Sequence, residues 1–296
     1  MLHPQTPTKL DFDRLGPDVT QAFAENGVVC LRALLDEAHV EFLREWIDIA
    51  INNPSPRFAG KPDRTYAVDT HLWPRLEGFR RIAFESGIAE AAATVMGSRE
   101  VRLYNDTMFV KEPSAPEPTP WHQDLGYFRL GGPNNCSAWI ALDPANKASG
   151  AMSYGLGSHR WKKMFRPVEF DKPERALAEA GYDGPPPDLD LDPALCETVS
   201  FELRPGDVVF HHLLTLHKAG PNTSTGTRRR VHTLRLAGDD SIWVNRPYST
   251  VEFKTDLPDG APLTGEEFPV LWPRSARMTS ADGVRPGDFL NSAPPR

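Results

Sequence analysis

The feature that most constrains this chain is a change of texture near residue 100. Upstream, apolar residues recur at helical spacing. Downstream, short β-branched and aromatic runs alternate with turn signals. PDVTQAFAEN at 17–26 predicts a short helix that stops before Gly27, and 28–35 predicts a strand. Asp36 has the chemistry of an N-cap for a helix through about Ile51, with Val40, Leu43, Ile47 and Ala50 on one face. Residues 52–76 read as irregular, and an Ala-rich helix over 78–96 closes at Gly97. From there the runs 101–111, 137–143, 150–155, 199–203, 207–213 and 229–237 predict strands. GGPNN, PANKASG and RPGD turns separate them. Helices first and short strands after predict an all-β core, a sandwich or jelly roll, with helices packed on one side. The 166–198 segment is long, acidic and Pro-rich, as a lid or substrate loop over a barrel mouth would be.

Composition narrows the function classes. A net charge of −7 argues against a partner with a phosphate backbone. No apolar run reaches the 18 residues of a membrane span. The N-terminal MLHPQTPTKLDFDRLG has neither a basic n-region nor an apolar h-region, so no secretory signal is expected. Cys30, Cys136 and Cys196 are odd in number and lack a C-x-x-C spacing, which disfavours a disulfide framework or structural zinc. A reducing cytoplasmic setting is expected. The 29 prolines gather at 54–62, 113–120, 183–193 and the C-terminal tail, marking loops.

The histidines carry the chemistry. With nine histidines and 40 acidic residues, about one H-x-acid pair arises by chance, and the chain has two. His39-Val40-Glu41 falls in a predicted helix, where residues two apart point to different sides, and reads as solvated surface. His122-Gln123-Asp124, in WHQDLGYF, follows a Pro-rich loop. In a strand, residues i and i+2 face one side, so His122 and Asp124 can present a nitrogen and an oxygen to one metal. A facial iron site needs a second histidine. PGDVVFHHLLTLHKAGPN offers His211, His212 and His217, each equally readable as a hydrogen-bonded strand or loop histidine.

Taken together, WHQD, the WIALD strand at 139–143, GSHR at 157–160, PGDVVFHH, and HKAGPN with an arginine eleven residues past its histidine resemble the phytanoyl-CoA dioxygenase family. The resemblance runs from about residue 20 to 240. It implies a double-stranded β-helix, the cupin-like jelly roll, using Fe(II), with 2-oxoglutarate and O2 as co-substrates. It implies His122, Asp124 and His217 as iron ligands, with His211 and His212 left to structural roles. Arg228 matches the arginine that grips the distal carboxylate of 2-oxoglutarate, a task suited to a guanidinium fork. Arg229 and Arg230 are its local competitors, and Arg230 shares a strand face with Arg228. Met108 and Lys111, Trp139 and Gln123 match positions around the co-substrate. Ala219 and Leu156 depart from the family, which often has a hydroxyl residue and a proline there. Halogenating relatives carry a small residue where this chain has Asp124, so oxygenation is implied.

The resemblance implies a hydroxylase acting on an unactivated C–H bond and releasing succinate and CO2, in one domain over 1–296. Its expected parts are a helical portion about 17–97, a core about 100–240, an insertion about 166–198 and a tail from about 250. Candidate substrate contacts are Tyr127, Phe128, Asn105, His71, Trp73, Trp243, Arg246 and Tyr248, with Tyr66 nearby. So many aromatics predict a small, apolar or ring-containing substrate, with no nucleic acid or membrane partner. Desaturation, ring formation or epimerisation would use the same iron site. A cupin-like metal protein without 2-oxoglutarate chemistry, or a non-catalytic jelly-roll module with a relic site, are the readings of another class.

Overall fold

A computed structural model describes residues 16–60, 65–170 and 172–273. Four helices lead: α1 (Gly16–Asn26), α2 (Glu37–Asn52), α3 (Glu77–Glu85) and α4 (Ile88–Met96). The strands are β1 (Val28–Leu31), β2 (Ala59–Gly60), β3 (Tyr66–Thr70), β4 (Val101–Lys111), β5 (Thr119–His122), β6 (Leu130–Gly131), β7 (Asn135–Ala141) and β8 (Met152–Gly155). They continue with β9 (Val168–Glu169), β10 (Lys172–Ala176), β11 (Thr198–Ser200), β12 (Val208–His212), β13 (His217–Ala219), β14 (Arg229–Gly238), β15 (Ile242–Trp243) and β16 (Val270–Trp272).

Local chemistry sets the helix ends. Asp36 caps α2, its carboxylate accepting from His39 N at 2.9 Å, and Val40, Leu43, Ile47 and Ala50 are its buried face, as the spacing predicts. The single helix expected over 78–96 is two helices. Gly87 adopts the left-handed conformation at φ 81, which breaks the ladder between α3 and α4. Gly97, also left-handed, ends α4 as expected. The span 52–76 is less irregular than its prolines imply, since β3 pairs along β4 from Tyr66↔Lys111 to Thr70↔Thr107.

Two antiparallel sheets face each other. The larger runs β1-β12-β7-β14-β4-β3-β2, with β16 added to β4; the smaller runs β11-β8-β13-β5. This is the jelly-roll core the sequence predicts. One face of the larger sheet buries Met108, Val110, Ile140, Phe210, Leu234 and Leu236 against Leu43, Ile47, Phe79, Ile82 and Val95 of the helices. Each fully buried side chain of this size contributes about 1.5–3 kcal/mol. The other face, carrying Trp139, Val209 and Val231, closes on Tyr154 of the smaller sheet. Strand alternation thus gives β14 two roles. Leu234 goes to the helices, while Val231, Thr233 and Arg235 line the barrel with the odd-numbered residues. The C-terminal tail is followed only to Pro273; residues 274–296, like those before Gly16, lie outside the described residues.

Candidate metal centre and active site

His122 and His217 sit directly opposite each other on the antiparallel pair β5–β13, with ring centroids 4.1 Å apart. Asp124 completes the set: one ligand atom from each of the three residues lies within 4.8 Å of the others, and all three side chains are buried. His122 Nε2 and His217 Nε2 are each 3.7 Å from Asp124 Oδ1. The strand argument for His122 and Asp124 needs amendment. β5 ends at His122, and Asp124 is right-handed helical (φ −65, ψ −38) at the start of a 3-10 turn. The turn, rather than pleat alternation, brings its carboxylate back to the histidines.

The surroundings prepare these groups for a metal. His122 Nδ1 donates to Pro120 O and His217 Nδ1 to Thr215 O, each at 2.9 Å. A carbonyl only accepts, so both rings carry the proton on Nδ1 and offer the Nε2 lone pair inward. Burial, with His122 and His211 nearby, holds His217 well below the ordinary imidazole range, so it stays neutral. Burial opposes the charge on Asp124. Arg235 and the hydrogen bond from His211 outweigh it and hold the carboxyl well below its ordinary value. Two imidazole Nε2 atoms and one carboxylate on one side fit Fe(II) and leave its other positions free.

A second polar cluster lies further along the barrel. Lys111 and Arg229 are register partners, and Tyr66 is Lys111's neighbour on β3. Lys111 Nζ donates to the carbonyls of Glu117 at 2.6 Å and Gly220 at 2.9 Å. Burial, then Arg229, pulls its pKa down to about 7. Arg229 is buried, donates to Gly150 O, and lies over the Trp139 ring at 5.8 Å; burial lowers it to about 10. Its Nε has no hydrogen-bond partner. Two buried cations and an open donor make a carboxylate receptor.

Several sequence-predicted positions are corrected. Arg228 stands outside the barrel, its Nη1 2.8 Å from Asp48 and its Nε 2.8 Å from Glu112. It does share a side with Arg230, as expected, but that side faces α2, where Arg230 grips Asp143. Met108 packs into the sheet–helix core, away from the barrel interior, because alternation along β4 sends it there. Gln123 spends its amide on Lys163 O, Leu214 O and Phe165 N, tying backbone segments together. Lys111 and Trp139 face the interior as their assignment requires. His212 is structural, hydrogen-bonded to Pro133 O at 2.8 Å. His211 is not merely structural: its Nε2 is 3.4 Å from Asp124 Oδ2.

Among the substrate candidates, Tyr127 meets the His122 ring edge-on at 6.0 Å and neighbours Phe170 and Tyr248. Phe128 lies under the Arg235 guanidinium at 5.7 Å. Asn105 is buried beside Arg235 in register, and His71, at φ 60, packs on Phe253. Trp73 packs on Phe84 of α3, Trp243 joins Phe253 and Phe268, and Arg246 donates to the carbonyls of Phe128 and Leu130. These last three are engaged in packing or backbone bonding. Sequence reasoning missed Arg235 altogether. Its signal was the run RRRVHTLR, in which residues 229 and 235 share a strand face.

A 34% identical stretch of 142 residues relates the chain to a probable alpha-ketoglutarate-dependent hypophosphite dioxygenase of Stutzerimonas stutzeri, covering 48% of this chain and 46% of that one. A 34% identical stretch of 132 residues relates it to 1-deoxypentalenic acid 11-beta-hydroxylase of Streptomyces arenae, covering 42% and 44%. The chain thus spans under half the length of these curated relatives. The crystal structure of the non-heme alpha ketoglutarate dependent carbocyclase SnoK from nogalamycin biosynthesis superposes with a TM-score of 0.69 at 26% identity, over 87% of this chain and 97% of that one. The phytanoyl-CoA dioxygenase family model matches residues 23–231, a span holding the triad and both buried cations. On that match the chain belongs to the phytanoyl-CoA dioxygenase family.

Proposed function

We propose that this protein is an Fe(II)- and 2-oxoglutarate-dependent oxygenase that hydroxylates a small molecule. The observation that carries the reading is the pairing of two sites in one barrel: the buried His122, Asp124, His217 triad and the buried Lys111–Arg229 receptor beyond Trp139. When bound, Fe(II) with 2-oxoglutarate and O2 supplies an oxidant able to attack an unactivated C–H bond, as 2-oxoglutarate leaves as succinate and CO2. His122 and His217 would hold the metal through their inward Nε2 atoms, and Asp124 through its carboxylate. Arg229 and Lys111 bind the distal carboxylate, with Trp139 as the wall beside it. Tyr127, Phe170 and Tyr248 keep the mouth apolar and exclude water from the reacting face.

The substrate is a small molecule reaching the triad past these aromatics. Ring closure at the same site is the second reading, favoured by the likeness to the carbocyclase. No described helix is long and apolar enough to cross a membrane. The odd, widely spaced cysteines suit a reducing, cytoplasmic setting. The test is anaerobic calorimetry of 2-oxoglutarate on the Fe(II)-loaded protein, followed by succinate release on admitting O2. Binding with O2-dependent succinate supports the reading. Absence of 2-oxoglutarate binding would leave a metal-binding jelly roll of another chemistry.

A further inference from the structure

One transverse row of the larger sheet stands out beside the triad. His211 of β12, Ser137 of β7, Arg235 of β14 and Asn105 of β4 are successive register partners across four neighbouring strands. All four are buried, between 0% and 6% exposed. His211 Nδ1, Ser137 Oγ and Asn105 Oδ1 have no hydrogen-bond partner, and Arg235 Nε meets only the Asp124 carboxylate. Buried polar groups are almost always satisfied, and three unpartnered atoms flanking a buried guanidinium in one row call for a partner. The next row toward Lys111 is satisfied, and the first row donates into it: Asn105 Nδ2 to Thr70 Oγ1 at 3.0 Å, and Arg235 Nη1 to Thr233 Oγ1. Thr70 Oγ1 and Thr107 Oγ1 are 2.8 Å apart, and Thr233 Oγ1 donates to Thr107 O at 3.1 Å. Of these two rows, the one beside the triad holds the unpartnered atoms; Arg229 Nε, further along, is the open donor of the co-substrate receptor.

Charge points the same way. Arg235 Nε is 3.3 Å from Asp124 Oδ2, its one ion-pair partner among the described residues. A divalent cation on Asp124 would take up that carboxylate's charge and leave the row positive in a buried setting. Phe128 beneath the guanidinium and Tyr104 behind it add no anion.

Resting on the oxygenase reading, we propose that this row is the subsite for an anionic head group of the primary substrate, a carboxylate or phosphorus oxyanion, received by Arg235 with Ser137 and Asn105. The substrate is therefore an acid with its reacting carbon close to the charged end, rather than a wholly apolar molecule. The aromatic mouth then accommodates the remainder.

The test is anaerobic calorimetry on the Fe(II)-loaded protein with saturating 2-oxoglutarate, using propionate and methylphosphonate as probes and propionamide as the neutral control. The anions bind and the amide does not. Arg235→Met weakens anion binding at least tenfold, and Ser137→Ala, which leaves Asp124 and its partners in place, weakens it several-fold. In both variants 2-oxoglutarate affinity stays within about twofold. Equal binding of amide and anions, or none of either, overturns the proposal. So does Arg235→Met lowering Fe(II) affinity while Ser137→Ala leaves anion binding unchanged, which would make the row a support for Asp124 alone. A fall in 2-oxoglutarate affinity in both variants also overturns it, assigning the row to the keto-acid end of the co-substrate. Anion binding that persists and depends on Arg235 without any 2-oxoglutarate binding supports the row and sinks the oxygenase reading instead.

Discussion

The guanidinium of Arg229 lies over the indole of Trp139, 5.8 Å from the ring centroid, inside the barrel, while its chain neighbour Arg228 lies outside between Asp48 and Glu112. The two arginines therefore separate cleanly in experiment. Arg229→Met removes one partner of a buried charge pair with 2-oxoglutarate, a loss of about 2–5 kcal/mol. The 2-oxoglutarate dissociation constant rises about 30-fold or more, with Fe(II) affinity nearly kept. Arg228→Met leaves 2-oxoglutarate affinity within twofold and costs at most about 1 kcal/mol of stability, the usual worth of surface pairs. Calorimetry on both variants decides, and the reverse pattern would return the co-substrate contact to Arg228.

The neighbouring misreading has the same physical origin. Eleven residues past His217 falls on Arg228, but β14 begins at Arg229, and a one-residue offset turns every side chain to the other face. A count along the chain cannot resolve that; the barrel's register can. Met108 was lost to the same alternation. His122 and Asp124 were legible as an H-x-D pair, while His217 was singled out from His211 and His212 only by the family resemblance that HKAGPN carries. The sandwich was legible from turn-punctuated β runs. β3 was not, since Pro-rich and charged flanks hide the alternation of YAVDT. Arg235 escaped notice because its meaning lies in Ser137 and Asn105 beside it, which only strand pairing reveals.

Lys111 predicts a proton-linked step. Burial, aided by Arg229, lowers its pKa to about 7 from 10.5, so at pH 8 most of it is neutral in the ligand-free protein. A bound carboxylate favours the charged form, so 2-oxoglutarate binding takes up protons above pH 7, and affinity falls as pH rises. Calorimetry at pH 8 in buffers of different ionisation heat measures the uptake, and Lys111→Met abolishes it. The stability sign follows. Between about 7 and 10.5 the unfolded chain binds more protons than the folded one, so this group makes stability rise with pH across that window. Lys111→Met flattens that rise and raises the melting temperature of the ligand-free protein near neutral pH.

Asp124→Asn tests the metal centre. The amide keeps the volume and an acceptor for Arg235 and His211 but removes the charge opposite His122 and His217. Wild-type protein gains melting temperature with added Fe(II) under anaerobic conditions, by mass action on the folded state. The variant loses more than about 100-fold in Fe(II) affinity, and that thermal gain disappears. An undiminished shift would place the metal elsewhere.

The buried pair Asp106–His232, 3.1 Å apart, has a structural task on the helix side of the sheet. Asp106 Oδ1 also accepts from Leu72 N and Trp73 N at 2.7 and 3.1 Å, which fixes the turn carrying His71 over the mouth. Asp106→Ala strands an imidazole and two backbone donors, a loss of about 3–5 kcal/mol. Denaturant unfolding shows it as a lower midpoint, while Fe(II) affinity in the folded fraction is unchanged. A fall in metal affinity without loss of stability would move this pair into the site.

Tyr127 joins the metal centre to the 166–198 segment. Its hydroxyl donates to Val168 O at 2.8 Å and accepts from Val168 N at 2.9 Å, while its ring stands edge-on to His122. Tyr127→Phe keeps the ring and removes both bonds, leaving two backbone groups of Val168 without partners at about 1–3 kcal/mol. The loss is local, because the triad's own hydrogen bonds to Pro120 and Thr215 are untouched. Limited proteolysis therefore accelerates within 166–198 in the variant, with cleavage mapped by mass spectrometry, while Fe(II) and 2-oxoglutarate affinities stay within about twofold. Unchanged proteolysis would show that Gln123, through Lys163 and Phe165, suffices to hold the segment over the mouth.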